Sequence, residues 1–229
     1  MSQIETCVLP RPSGGGNAPE EAELLPEKFS ALLRQIGSPD GFPEASVLQS
    51  PLGGTGGGRG LRDFLESYQA RVLEPLEMPA IARAHFVSAR GHVRELIALD
   101  RQLGGEPLRP ALASASRRIG RAQLERLRPL RDERVVRRYL AAVEAGEAGG
   151  WHTVVYGLTL AVYSWPLRQG LHTYARETLS GLARAATRSS GFPEAACREI
   201  LRTFFLRLPA AIEQTVAGCE EWAGPLKGL

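Results

Sequence analysis

The chain has 229 residues, of which 43% are hydrophobic and 23% are charged, and its formal net charge is +3. This composition is typical of a soluble globular protein, and the length suits one domain or one large bundle with a sizeable core. No apolar run reaches the ~20 residues of a membrane span. The N-terminus contains Glu5 and no apolar stretch, which argues against a secretory signal, so we expect a cytoplasmic protein.

The cysteines are Cys7, Cys197 and Cys219, which is an odd number of widely spaced residues without a CxxC pair. Such usage argues against a disulfide framework or a zinc site and favours a reducing compartment. We expect Cys197 and Cys219 to behave as small apolar side chains on helices.

The N-terminal part of the chain predicts a tail, a helix and a glycine-rich loop. Residues 1–19 contain proline and glycine without periodicity, which is typical of a flexible tail. A helical domain is expected over residues 20–229, and its first helix should run from about Glu20 to Ile36. The glycine-rich stretch 53–60 lacks the Lys-Ser/Thr ending and the preceding strand of a phosphate-binding loop, so we expect a mobile surface loop there.

From Leu61 onward the apolar residues recur at helical spacing, and proline and glycine divide the pattern into segments. Pro75 is expected to end the first of these helices. The next helix should run from Pro79 towards Leu103, and Gly91 can divide it in two.

Two further helices follow in the middle of the chain. One is expected over roughly Pro110–Leu127. For the other, Asp132 is the expected N-cap, and the helix should continue to about Ala145, where Gly146 closes it.

The stretch from Trp151 to Tyr163 is apolar almost all round, which predicts a buried central helix. Ser164 is the expected N-cap of the helix after it, with Pro166 just inside, and that helix should reach about Arg188.

The last helical segment should run from Pro193 towards Trp222, with a kink or restart at Pro209. No β-hairpin pattern is found along the chain. The sequence therefore predicts an all-α fold, a single-domain helical bundle of about eight to ten helices.

Motifs of catalysis and metal binding are missing from the sequence. His85 and His92 are seven residues apart, whereas a shared helical metal site needs three or four, and we expect His152 to be a buried structural histidine. No HExxH, GxSxG or DDxxD motif occurs. We expect no catalytic residue, no metal ligand set and no directly bound cofactor.

A basic stretch raises the question of an anionic partner. It consists of Arg117, Arg118, Arg121, Arg126, Arg128, Arg131, Arg134, Arg137 and Arg138. Only Tyr139 supplies a nearby aromatic ring, which does not favour stacking of single-stranded bases. A solvated face containing Glu125, Asp132 and Glu133 is expected, and an acidic protein partner or nucleic acid remains open.

Several segments carry a resemblance to a known family. They are Val155-Tyr156-Gly157, Leu167 to Tyr174, Leu208-Pro209-Ala210-Ala211-Ile212-Glu213, Ser116-Arg-Arg-Ile-Gly120-Arg121 and Leu99-Asp100. Together they resemble urease accessory protein F, a helical factor in nickel-dependent urease maturation. The resemblance covers roughly residues 30–217.

A family motif near the N-terminus is similar to the segment Pro39–Gln49, in which Gly41, Phe42 and Leu48 match. The positions that depart from the motif are Ala45, Val47 and Gln49. The resemblance implies partner-binding residues at Gly41, Phe42, Leu48, Tyr156 and Gly157, with contacts expected at the first three and packing at the last two.

The resemblance also implies a role without catalysis. The chain would be a homodimer that bridges a D/H-type urease accessory protein and the nickel-carrying GTPase and then docks on apo-urease. Nickel and GTP would be held by these partners, and neither a membrane nor nucleic acid is an expected partner. Two alternatives stay open: a basic helical nucleic-acid-binding or regulatory module using residues 117–138, and an all-α enzyme with an unrecognised pocket.

Overall fold

The computed structural model describes residues 57–105, 110–130, 133–190 and 193–220. Within these ranges the chain forms nine α-helices, one π-helical segment and one 3₁₀ turn, without strands. The predicted all-α class and the predicted number of helices are confirmed. The expected tail at residues 1–19 and the expected helix from Glu20 to Ile36 lie outside the described residues.

The helices follow one another through short connections. They are α1 (Gly57–Tyr68), a π-helical segment (Gln69–Glu77), α2 (Met78–Ala89), α3 (Val93–Gly104), α4 (Pro110–Arg126), a 3₁₀ turn (Arg128–Leu130), α5 (Arg134–Glu144), α6 (His152–Val162), α7 (Leu167–Ser190), α8 (Glu194–Phe205) and α9 (Leu208–Glu220). None of the described helices is long and apolar enough to cross a membrane.

Helix α6 lies between two hydrophobic cores, and all of residues 152–160 are buried. Tyr156 and Leu160 belong to the first core, which α1, the π-helical segment, α7, α8 and α9 complete. Val154, Val155 and Leu158 belong to the second core, with side chains of α3, α4 and α5. The prediction of a buried central helix is confirmed, because a helix that faces a core on each side must be apolar all round.

Helix α2 shares the central position with α6. Met78 and Ile81 of α2 face the first core, whereas Ala80 and Ala84 face the second. The contact between α2 and α6 is the most extensive between any two described elements. These two helices therefore join the two halves of the molecule.

Pro75 does not end the first helix, which corrects the expectation from sequence. The chain stays helical through Pro75 in the π register, in which the N–H of Met78 donates to the carbonyl of Leu73, five residues back. Proline has no N–H, and in an α-helix its ring crowds the carbonyl four residues back. The wider π turn changes which carbonyl faces the ring, so α1, the π-helical segment and α2 form one continuous helical stretch.

Ser164 is not the N-cap of α7, which begins three residues later, at Leu167. It instead closes α6 in a left-handed conformation, with φ of 52°. The N–H of Ser164 donates to the carbonyl of Ala161 at 3.0 Å, and the N–H of Trp165 donates to that of Leu160 at 2.7 Å. This pair of bonds is a Schellman motif, which satisfies carbonyls at the end of a helix.

Two other expected helix starts are also corrected. The glycine-rich stretch 53–60 is not all loop, because α1 begins at Gly57. Leu61 and Leu65 are fully buried, and this burial stabilises the helix in spite of its glycines. Glu133, rather than Asp132, occupies the N-cap position of α5, and its side chain makes no capping hydrogen bond; Asp132 lies outside the described residues.

The remaining predicted breaks are confirmed. Gly91 separates α2 from α3 with a φ of +69°, and Gly146 follows α5 with a φ of +76°, which are conformations that glycine adopts without strain. Pro209 stands at the start of α9, so the last helical segment restarts there. Cys197 and Cys219 are buried, and burial raises the pKa of both thiols, as expected of small core side chains.

Candidate functional site

The turn between α5 and α6, residues 146–151, is anchored by hydrogen bonds to a buried carboxylate. Asp100 of α3 accepts hydrogen bonds from the backbone N–H groups of Gly149, Gly150 and Trp151, the last two at 3.1 Å. The Tyr139 hydroxyl of α5 donates to the same carboxylate at 2.5 Å. Four donors compensate for the desolvation of Asp100, and the negative charge suits the N-terminal end of α6.

Helix α4 fixes the other side of the 146–151 turn through the motif Ser116–Arg121. The Ser116 hydroxyl accepts the N–H of His152 at 3.3 Å, and Arg121 Nε donates to the carbonyl of Gly149 at 3.0 Å. A Cβ on Gly120 would lie 2.6 Å from the His152 nitrogen, so no larger residue fits there. The motif therefore seats the start of α6 directly against α4.

Several arginines of the basic stretch make contacts within the fold near the 146–151 turn and helix α5. The Arg117 guanidinium lies 5.2 Å from the centre of the Trp151 ring, within the range of a cation–π contact. Arg128 binds Glu125 and Glu144, each at 2.7 Å. The pairs of Arg128 are solvent-exposed, and the pair with Glu125 agrees with the solvated face expected from the sequence. The contacts of Arg117 with Trp151 and of Arg128 with Glu144 were missed, because they join positions far apart in the chain.

The contact between α2 and α6 depends on Gly157. A Cβ at this position would lie 2.7 Å from Cβ of Ala84 and closer still to the carbonyl oxygen of Ile81. Gly157 therefore allows α2 and α6 to approach each other closely. Its neighbour Tyr156 is fully buried, and its hydroxyl donates to the carbonyl of Gly170 on α7 at 3.0 Å.

A line of polar and aromatic side chains crosses the first core beside Tyr156. The Tyr68 hydroxyl donates to Oε2 of Glu77 at 2.9 Å, while the Tyr174 hydroxyl lies beside the same carboxyl without a hydrogen bond of normal geometry. The Tyr174 ring centre lies 5.2 Å from that of Tyr156 and 5.4 Å from that of His152. Burial raises the pKa of Glu77 to about 7, although the two hydroxyls act in the opposite direction.

The tyrosines of this line stay protonated at neutral pH. Burial, with Glu77 as a second cause, raises the pKa of Tyr68 and of Tyr174 well above the ordinary value. Burial likewise raises the pKa of Tyr156. The tyrosines can therefore position one another as neutral side chains, and Glu77 can change its charge near neutral pH.

The histidines do not form a shared metal site. His85 lies on α2, whereas His92 is exposed and precedes α3, so the break at Gly91 separates them. His152 is buried, with its Nε2 atom 3.3 Å from Nε2 of Gln123, as expected of a structural histidine. Among the described residues, no group of three histidine, cysteine, aspartate or glutamate side chains is arranged to hold a metal ion.

The five partner-binding residues expected from the sequence fall into two sets. Gly41, Phe42 and Leu48 lie outside the described residues. Tyr156 and Gly157 are brought together with α2 and α7 in the interior. Their position agrees with the packing role expected for them.

A family model gives the chain its identity. The model named UreF matches residues 57–204, which is more than half of the chain. The chain belongs to the UreF family. A search of curated proteins found no match.

The UreF match begins at the start of α1 and ends within α8, so it includes most of both cores and the whole 146–151 turn. Membership gives the chain a urease accessory role, in maturation of the enzyme and together with other urease accessory proteins. The segments around Ser116–Arg121 and Val155–Gly157, on which the resemblance was based, lie inside the matched range.

Sequence reasoning found Asp100 only as part of the UreF resemblance and not as the centre of a hydrogen-bond network. A signal was present, because Asp100 stands among the apolar positions Leu96, Leu99 and Leu103 on one face of α3. A charge on a buried helix face indicates a partner for that charge. The sequence could not show which groups donate to Asp100, since these N–H groups are 49 to 51 residues away along the chain.

Proposed function

We propose that this chain is a maturation factor without catalytic activity that assists GTP-dependent nickel insertion into apo-urease. It bridges the nickel-carrying GTPase and a D/H-type accessory protein, as a homodimer, and nickel and GTP are bound by these partners. The observation that carries the proposal is the UreF match over residues 57–204, which covers the two cores and the central pair α2 and α6.

The described geometry supports a role based on shape. The 146–151 turn is held by α3 and α4 together, and α6 is buried between two cores. A scaffold of this kind acts by binding one nucleotide state of its partner more tightly than another, which shifts the partner's equilibrium. Rigid packing favours such discrimination, since the surface is formed before the partner arrives.

The expected partner-binding residues act in two ways in this proposal. Gly41, Phe42 and Leu48 contact a partner directly. Tyr156 and Gly157 act from the interior, because Tyr156 anchors α6 to α7 and Gly157 sets the approach of α6 to α2. Changes at the last two positions would alter partner binding through the shape of the surface.

Complex formation tests the proposed function. The tagged chain is mixed with the purified nickel GTPase and the D/H-type accessory protein from the same organism, and the complexes are separated by size-exclusion chromatography with light scattering. We expect a ternary complex that contains two copies of this chain. Phe42→Ala should weaken the complex while its thermal unfolding stays close to that of the wild type. Failure of the wild-type chain to bind either protein would refute the proposal.

A further inference from the structure

Helix α5 has one solvent face, and arginine dominates it. Arg134, Arg137 and Arg138 are exposed, while the opposite face of the helix is buried in the second core. The buried residues are Val135, Val136, Tyr139, Leu140 and Ala142. We call Arg134, Arg137 and Arg138 the α5 arginine face.

The acidic residues that the structure describes near the α5 arginine face form no ion pair with it. In the part of the chain that the structure describes, Arg134, Arg137 and Arg138 form no ion pair, not even with Glu133, which precedes the helix. The acidic residue at the far end of the helix, Glu144, is bound by Arg128. Ala141 occupies the position four residues after Arg137, where an acidic side chain would have offset the charge.

The positions of these charges do not stabilise α5. Arg134 and Arg138 are four residues apart, so their like charges lie on the same side of the helix and repel each other. Arg134 and Arg137 lie in the first turn of α5, where the helix dipole favours negative rather than positive charge. The arrangement does not stabilise the folded monomer, and it leaves the three guanidinium groups available to a negatively charged partner.

We propose that the α5 arginine face docks onto an acidic surface of a protein partner. The guanidinium group matches a carboxylate with two parallel hydrogen bonds. The same chain shows this geometry between Arg168 and Glu213, in which the two nitrogen–oxygen distances are 2.8 and 3.0 Å.

A protein partner fits this face better than a nucleic acid. Tyr139, the aromatic residue of α5, is fully buried and bonded to Asp100, so it offers no ring for base stacking. Contacts within the fold already engage Arg117, Arg121 and Arg128. Fewer arginines are therefore available to bind successive phosphates of a nucleic acid. The identity of the partner as a urease component rests on the proposed function, whereas its acidic chemistry rests on α5 alone.

The first experiment measures binding of fluorescent poly-L-glutamate, with a short DNA duplex as the competing class. It compares the full-length wild-type chain with R134E/R137E/R138E. A matched control, R198E/R202E/R207E, reverses three exposed arginines on α8 and just after it, so the net charge changes equally. We expect poly-L-glutamate to bind the α5 variant at least about tenfold more weakly than the wild type, and the control much less affected.

Folding of the α5 variant is checked by circular dichroism, and glutamate at this helix end suits the dipole. The neutral variant R134Q/R137Q/R138Q gives a second measure of the same loss. An equal loss of binding in the control, or no loss in either α5 variant, would overturn the proposal. So would DNA binding that is tighter than poly-L-glutamate binding and depends on the same three arginines.

A second arm uses the urease components and separates this inference from the proposed function. Loss of the complex with the nickel GTPase, the D/H-type protein or apo-urease in the α5 variant, but not in the control, would place the acidic surface on that component. A complex that is unchanged in the α5 variant would overturn the docking inference and leave the proposed function standing. Binding of poly-L-glutamate through α5, without a complex with any urease component, would support the docking inference and overturn the proposed function.

Discussion

At the scale of single residues, Asp100 links three parts of the chain through one carboxylate. It receives hydrogen bonds from the turn before α6 and from Tyr139 of α5, and it is fully buried. Burial raises the pKa of Tyr139 well above its ordinary value, and the charge of Asp100 adds to the effect, so Tyr139 remains a donor at neutral pH. Asp100 therefore determines where α6 begins relative to α3 and α5.

Replacement of this carboxylate should weaken the whole fold. We expect Asp100→Ala to lower the free energy of unfolding by about 3 kcal/mol or more, because four buried donors lose their acceptor. Asp63→Ala, at an exposed position on α1, is the control and should change it by no more than about 0.5 kcal/mol. Urea unfolding followed by circular dichroism measures both, and similar values for the two variants would contradict the assigned role of Asp100.

Glu77 should make the stability of the protein depend on pH. Its pKa is about 7 in the folded chain, above the ordinary value, since burial disfavours the charged form. The stabilising contribution of a raised carboxyl pKa is complete below the unfolded pKa and is lost as the pH rises through the folded pKa. We expect the free energy of unfolding to fall between about pH 4.5 and 7, the ordinary and the raised pKa of Glu77, by at most about 1.4 kcal/mol per pH unit from this group.

Glu77→Gln isolates this contribution, because glutamine keeps the hydrogen-bonding shape and does not titrate. The variant should become more stable relative to the wild type as the pH rises, since only the wild type loses stability in this range. A difference in unfolding free energy that stays constant from about pH 4.5 to 7 would show that Glu77 does not titrate in this range.

At the scale of elements, the close contact between α2 and α6 requires a residue without a side chain at 157. We expect Gly157→Ala to lower the free energy of unfolding by about 1–3 kcal/mol, since the added methyl group would collide with the backbone at Ile81 and with Ala84. Gly218→Ala on α9 is the matched control, because its Cβ would meet nothing within 4 Å.

The control should be stabilised by up to ~1 kcal/mol, as alanine favours helices more than glycine does. Thermal or urea unfolding of both variants against the wild type gives the comparison. Stabilisation of the chain by Gly157→Ala would contradict the close approach of α2 and α6.

Element boundaries were predictable where their cause is local. The breaks at Gly91, Gly146 and Pro209 follow from the backbone preferences of glycine and proline, and the burial of α6 follows from its uniform apolar composition. Pro75 was mispredicted, because burial of Gln69 and Leu73 keeps the chain helical where proline alone would end it. The contacts of Arg117 with Trp151, Arg121 with Gly149 and Arg128 with Glu144 could not be predicted, since each depends on the relative placement of helices.

At the scale of the whole molecule, two cores meet along the pair α2 and α6, and the UreF match extends over most of both. A disturbance at this pair reaches surfaces on both halves, because each helix contributes side chains to each core. In the proposed function this coupling keeps the partner-binding surfaces in a fixed relation. The candidate site could be predicted only in part, since Tyr156 and Gly157 were found through the resemblance and their contacts with α7 and α2 required the fold.

The most direct test of the account is the nickel content of urease purified from cells in which this chain has been deleted. The account predicts that urease accumulates as protein with little nickel, and that the wild-type chain supplied in trans restores the metal content. Deletion cells that yield urease with the same nickel content as wild-type cells would contradict the assignment of this chain to urease maturation.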